Sequence, residues 1–147
     1  MGFPPQGGGG VASLELDPTP STDHSYSGFS ATFTAGENLA FGDACYCKAA
    51  DGKMWKADAD ALATMPATGL ATDTIAANAE GLFFLYGYMR DDSWAWTVNG
   101  FLYGHTTPGN LTQTRPPGAG DQVQVCGVAV SADVLFFFPT PVLVKVS

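Results

Sequence analysis

The sequence predicts an all-β domain, an antiparallel β-sandwich or partly open barrel of two pseudo-repeated β-units, behind an extended N-terminal arm. Three observations carry this expectation. From Leu39 onward, short apolar runs bounded by Gly, Pro, Asp or Asn recur at all-β spacing. Two segments look like copies: Cys45-Tyr46-Cys47, Asp51-Gly52 and Gly69-Leu70-Ala71 against Leu102-Tyr103-Gly104, Pro108-Gly109 and Gly127-Val128-Ala129. Their tyrosines and turn glycines lie 57 positions apart and their later glycines 58. After a five-residue deletion, Leu82-Phe83-Phe84 aligns with Leu135-Phe136-Phe137. Finally, helical candidates are scarce. Only 57–65, closed by Pro66, reads as a turn or two of helix.

In chain order, residues 1–38 form the arm. Pro4-Pro5 and Gly7 to Gly10 are expected to hold no regular structure, and Ser and Thr dominate 21–34. Phe3, Val11, Leu14 and Leu16 are apolar beads on this cord, suited to ordering against a partner. The β-domain, 39–147, holds pseudo-repeats at about 39–89 and 94–138. Strands are expected near 39–48, 53–57, 67–72, 81–89, 94–97, 101–105, 122–130, 133–138 and 142–146. Asp51-Gly52 fits a tight hairpin turn, where Gly accepts a positive φ, and Pro108-Gly109 is its counterpart. Val123, Val125, Gly127 and Ala129 form an apolar face opposite Gln122, Gln124 and Cys126, which predicts a half-buried strand with the valines inward. Leu82-Phe83-Phe84-Leu85 and Leu135-Phe136-Phe137-Phe138 are apolar on both faces, so each needs cover on both sides.

Composition narrows the function. Of 147 residues 46% are hydrophobic and only 14% charged, too few charges to clothe a fully exposed surface, so another protein is expected to cover part of it. The formal net charge of −8 and six scattered Lys and Arg argue against nucleic acid and anionic membranes. No apolar run is long enough to span a bilayer, and the first residues lack a secretion signal. Three cysteines make no disulfide framework and suit a reducing cytoplasm. Cys45, Cys47 and Cys126 with His24 or His105 would make four zinc ligands, but the Cys-x-Cys spacing fits small buried hydrophobes better.

No catalytic constellation is present in the sequence, so no enzyme and no cofactor are expected. His24 and His105 stand alone without a paired nucleophile. Asp58 and Asp60 lack the further ligands of a calcium loop. Asp91-Asp92 before Trp94 and Trp96 is the most site-like group. Two indoles on one strand face beside acids suit either a sugar platform or packing at a core or subunit interface, and packing is the commoner use. Trp94, Trp96, Phe83 and Phe137 are therefore the candidate interface or glycan residues.

The run Gly42-Asp43-Ala44-Cys45-Tyr46, Asp51-Gly52-Lys53-Met54, Ala57-Asp58-Ala59 and Gly69-Leu70-Ala71 resembles the head-decoration (cement) proteins of tailed bacteriophages. These typically read G-D-x-V-Y, D-G-K-V, A-D-A and G-x-A. The segments 96–103, 108–114 and 120–133 resemble stretches common in phage virion proteins, some fibres included. The resemblance covers about 39–138, and Cys45 and Cys47 depart from it at strand sites usually given to Val or Leu. It implies a small β-rich protein, often a homotrimer, made in the host cytoplasm and bound to the major capsid protein on the virion exterior. The arm, with Phe3, Pro4, Pro5, Val11, Leu14 and Leu16, resembles capsid-gripping arms in character. Deleting residues 1–20 is expected to weaken capsid attachment. The alternative is a tail-fibre or receptor-binding module recognising host glycans.

Overall fold

The computed structural model describes residues 14–147, and these fold as an essentially all-β unit. In chain order the strands are β1 (Tyr26–Thr34), β2 (Ala44–Cys47), β3 (Met54–Lys56), β4 (Gly69–Ala71), β5 (Glu80–Arg90) and β6 (Phe101–Gly104). There follow β7 (Leu111–Thr112), β8 (Gln122–Val123), β9 (Val125–Ala129), β10 (Val134–Phe137) and β11 (Val144–Lys145). Nine of them make one curled antiparallel sheet, a half-barrel, in the order β3-β2-β4-β5-β10-β9-β6-β7 with β1 on the other edge of β5. The remaining two, β8 and β11, form a small second sheet.

That order reads the same from both ends. The β3-β2-β4-β5 half and the β7-β6-β9-β10 half have equivalent connectivity. Ala44 opposes Leu70 and Cys45 opposes Gly69, while Phe101 opposes Val128 and Leu102 opposes Gly127. These pairs carry the 57 and 58 offsets of the sequence comparison. The third strand corrects it by one residue. Leu70 opposes Phe84 and Val128 opposes Phe136, so Phe84 corresponds to Phe136 and not to Phe137.

Several expectations need correction. Tyr26–Thr34 lies in the sheet and not in a free arm, paired with β5 from Tyr26↔Met89 to Thr34↔Glu80. Phe29, Ala31 and Phe33 alternate with Ser30, Thr32 and Thr34, the period of a strand with one apolar face. Residues 94–97 form no strand. The helix expected over 57–65 reduces to a 3-10 turn at Leu62–Thr64. Its amides are used elsewhere: Ala57 N–H donates to the Ala44 carbonyl, Ala59 N–H to the His105 carbonyl and Asp60 N–H to Asp58 Oδ1.

The expected apolar face of β8 and β9 is reversed over 122–126 but holds at Gly127 and Ala129, which are buried beyond the register shift between Val125 and Gly127. Gln122, Gln124 and Cys126 are buried, while Val123 and Val125 are half-buried. Gln124 is tolerated inside because its amide is fully occupied. Oε1 accepts from Ala67 N–H at 2.8 Å, and Nε2 donates to the Ala67 and Thr140 carbonyls at 2.9 and 2.8 Å. A buried amide with every strong bond made costs little.

The apolar residues form two cores. The larger lies inside the curl and holds Leu70, Phe84, Met89, Leu102, Leu135 and Phe137. A smaller one sits on the opposite face, where the segments 35–39 and 72–79 fold over the sheet and bury Leu39, Cys45, Met54, Ala71, Ile75 and Phe83. Phe83 and Phe84 are adjacent and both fully buried, one in each core. The chain thereby covers Phe83 and Phe84 itself, while Leu82 at the start of the run is 44% exposed. A bulge opposite Phe29 and Ser30 lets β5 carry Phe84, Gly87 and Met89 on the inner face. Gly87, at φ +134°, faces Gly28 across the pair, and a Cβ there would collide with the Ser27 carbonyl and the Phe84 ring.

Candidate functional site

The two faces of the half-barrel differ in what covers them. On the outer face, beyond the 35–39 and 72–79 cover, aromatic side chains run across adjacent strands. Phe29 on β1 meets Tyr86 on β5 with ring centroids 6.1 Å apart, and Tyr86 meets Phe136 on β10 at 5.2 Å. Phe136 stacks on Tyr88 at 4.8 Å and touches Phe138 at 5.2 Å. Val128 on β9 opposes both Phe136 and Phe101, and Phe101 meets Tyr103 on β6 at 6.5 Å. Phe29 is 47% exposed, Tyr86 41% and Phe101 55%. No described segment lies over these three rings.

One end of this face is polar. Asp17 N–H donates to Ser27 Oγ at 2.8 Å, Arg90 Nη1 donates to the Pro20 carbonyl at 3.0 Å, and Asp92 N–H donates to Asp23 Oδ1 at 2.8 Å. Residues 17–23 are therefore bonded to the domain. Arg90 Nε also donates to Asp92 Oδ1 at 2.7 Å, a bond that lowers the Asp92 carboxyl pKa.

The second candidate is a cavity of about 330 Å³ lined by Phe41, Asp43, Asp91, Trp94, Trp96 and Asn110 among others. The indoles are 5.5 Å apart and pack against the larger core from an irregular segment. Asp91 is buried, and its Oδ1 accepts from Ser93 N–H and Oγ–H at 2.9 and 2.6 Å. That carboxylate holds the turn that brings Trp94 round. Burial raises the Asp43 carboxyl pKa, opposed by a bond from Ala40 N–H to Oδ2. Trp96 Nε1–H is buried without a partner. It is closed off from solvent, so it offers nothing to a ligand in the cavity.

The other chemistry-bearing residues are dispersed. Asp23, His24 and Asp91 are the one group among the described residues with ligand atoms mutually within 4.8 Å. There the His24 ring stacks on Phe41, 4.3 Å between centroids. His105 Nδ1 accepts from Thr107 N–H at 2.7 Å. Cys45 and Cys126 are buried and Cys47 is exposed, all as free thiols. Burial pushes both inner thiols up, Cys126 to about 12. No helix among the described residues is long and apolar enough to cross a membrane.

Of the sequence-derived site residues, Trp94 and Trp96 come together, with Asp91 beside them and Asp92 turned to Arg90. Phe83 and Phe137 are fully buried in the chain's own cores, so neither can face a partner; this corrects their place as interface residues. Their neighbours Tyr86 and Phe136 reach the outer face instead. Phe29 and Phe101 were missed, although period-two alternation over 29–34 marks the first. Leu14 is 73% exposed and Leu16 half-buried, while Phe3, Pro4, Pro5 and Val11 lie outside the described residues. Comparison with protein-family models, curated proteins and solved structures finds no match to this chain.

Proposed function

We propose that this chain is a phage structural protein, a capsid decoration protein that binds the outer surface of the head and stabilises its lattice without catalysis. The observation that carries this reading is the uncovered aromatic sheet face on a chain with 14% charged residues. A contiguous apolar patch of this kind marks a surface that binds another protein. The motif resemblance over 39–138 supplies the identity of the assembly. The functional partners are the major capsid protein and further copies of the chain, as a homotrimer. A ligand selective for the assembled shell stabilises it by mass action, with no chemistry needed.

The test is attachment to purified empty heads. Because residues 17–23 are bonded to the domain, the informative truncation removes residues 1–13, which contain Phe3, Pro4, Pro5 and Val11. The full chain is expected to saturate the heads at a fixed copy number and raise their melting temperature. The truncated chain keeps its fold and loses occupancy. A full chain that leaves the heads bare overturns the proposal, and equal occupancy without residues 1–13 overturns the arm.

A further inference from the structure

We infer that the outer face formed by Phe29, Tyr86, Tyr88, Phe136, Phe101 and Tyr103 is the surface by which one copy of this chain binds another. The inference deepens the reading above, since it names the contact between copies, and it can fail separately from capsid binding.

The internal repeat explains why this face is apolar. Ala44, Tyr46, Leu70 and Phe84 of the first half point into the larger core. Their equivalents in the second half, by strand register, are Phe101, Tyr103, Val128 and Phe136. These point outward, and Phe101 is the most exposed of the rings. The two halves thus present opposite faces of one unit to the shared core. In the first half the outward face is closed by the β4–β5 connection, residues 72–79, with Ile75 as its plug. In the second half the β9–β10 connection shrinks to residues 130–133 and covers nothing comparable. A core-type surface has lost its lid.

The chemistry selects a second copy as the occupant. No charged residue lies within the patch, and Arg90, Asp92 and Asp133 stand together at one end. Two copies at −8 each can therefore meet here without opposing like charges at the contact. A charged partner would find nothing to pair with. The size also fits. With about 200 Å² for a fully exposed aromatic side chain, Phe29, Tyr86 and Phe101 leave about 300 Å² uncovered. The half-buried rings of Tyr88, Tyr103, Phe136 and Phe138 bring the patch to roughly 450 Å². A standard interface takes about 800 Å² from each partner, an apolar core within a polar rim. Ser27, Arg90 and the 17–21 segment supply such a rim. The patch runs from Phe29 on β1 to Phe101 on β6, so one margin of a copy can meet the other margin of the next and close a ring.

The experiment is sedimentation velocity on the full chain from about 1 to 100 µM, a range set by ordinary protein affinities. A concentration-dependent oligomer is expected, and Tyr86→Glu and Phe101→Glu, both at exposed positions, are expected to weaken assembly at least tenfold. Leu62→Glu, 65% exposed and outside the patch, keeps it. Hydroxyl-radical footprinting of the unmodified chain reads the same surface without relying on a variant's folding. Phe101 and Tyr86 should oxidise more slowly in the assembly than in the diluted monomer. A wild-type chain that stays monomeric overturns the inference, whether its rings are exposed, shielded by residues 1–13 or protected only on heads. So does an assembly indifferent to both substitutions. Loss of head binding with self-association intact would sink the capsid reading and leave this surface standing.

Discussion

Replacing Gln124 tests whether a side chain holds three segments of this fold together. The residue is 1% exposed, and its amide bridges the backbone at Ala67 and Thr140 in the manner of an extra strand. Gln124→Leu preserves the volume and strips all three bonds. Ala67 is fully buried, so its N–H and C=O are both left unpaired, while the half-buried Thr140 carbonyl can turn to water. Each buried orphan costs about 1–3 kcal/mol. The apolar side chain returns about 1 kcal/mol through burial. The expected loss is about 1–5 kcal/mol, set against the roughly 5–15 kcal/mol that holds a domain folded. Gln124→Glu separates geometry from polarity. It keeps the acceptor for Ala67 N–H but sets an anion against two carbonyls, so its deficit should shrink as pH falls and the carboxyl regains a proton to donate. Urea unfolding followed by tryptophan fluorescence, at one fixed protein concentration to hold assembly constant, measures both variants. A Gln124→Leu loss below about 1 kcal/mol would refute the reasoning, because orphaned backbone groups cannot be that cheap.

Two further outcomes follow from burial. Iodoacetamide at pH 8 should modify one thiol of the native chain, Cys47, and all three after denaturation, since Cys45 and Cys126 are buried and their thiols pushed up; mass spectrometry showing rapid native labelling of Cys126 would contradict this. Asp43 carries a raised pKa, so the folded state holds its proton more tightly, and its contribution to stability falls as pH rises from the unfolded value of 3.8 through the folded one. Asp43→Asn keeps an acceptor for Ala40 N–H, and its urea midpoint should gain on wild type across that window and level off above it; a constant difference from pH 3.5 to 6.5 would show no such linkage.

What could be read from the sequence was whatever local chemistry decides. Turn glycines and apolar runs placed most strands, and the repeat offsets matched the register of the first two strands in each half. The slip of one residue in the third strand arose because LFF and LFFF look alike wherever they are laid against each other. Which face of a strand is buried depends on partners far away in sequence. Gln124 is inside because Ala67, 57 positions distant, needs its amide, and no rule based on alternation anticipates that. Tyr26–Thr34 was assigned to the arm on its Ser and Thr content, yet hydroxyl residues suit a strand whose other face carries Phe29, Ala31 and Phe33. The Trp94–Trp96 pair was legible as aromatic packing. Its irregular backbone was not, since the Asp91 carboxylate bonds that shape it are specific to that turn.

The same limit explains the interface residues. Phe83 and Phe137 were chosen because their runs are apolar on both sides, which is correct as chemistry and silent on cover. In the first half the chain closes the second side itself, with Ile75 over Phe83. In the second half Phe137 turns inward and Phe136 turns out, with a connection too short to reach it. A duplicated unit that uses opposite faces for one core leaves one former core face outside. Evolution of such a chain has two ways to hide that face: lengthen a loop, as between β4 and β5, or bring a neighbour. Loop closure entropy grows slowly with length, so a longer β9–β10 loop would have been thermodynamically cheap. That this connection is four residues long is the physical reason to look for the cover in a second molecule.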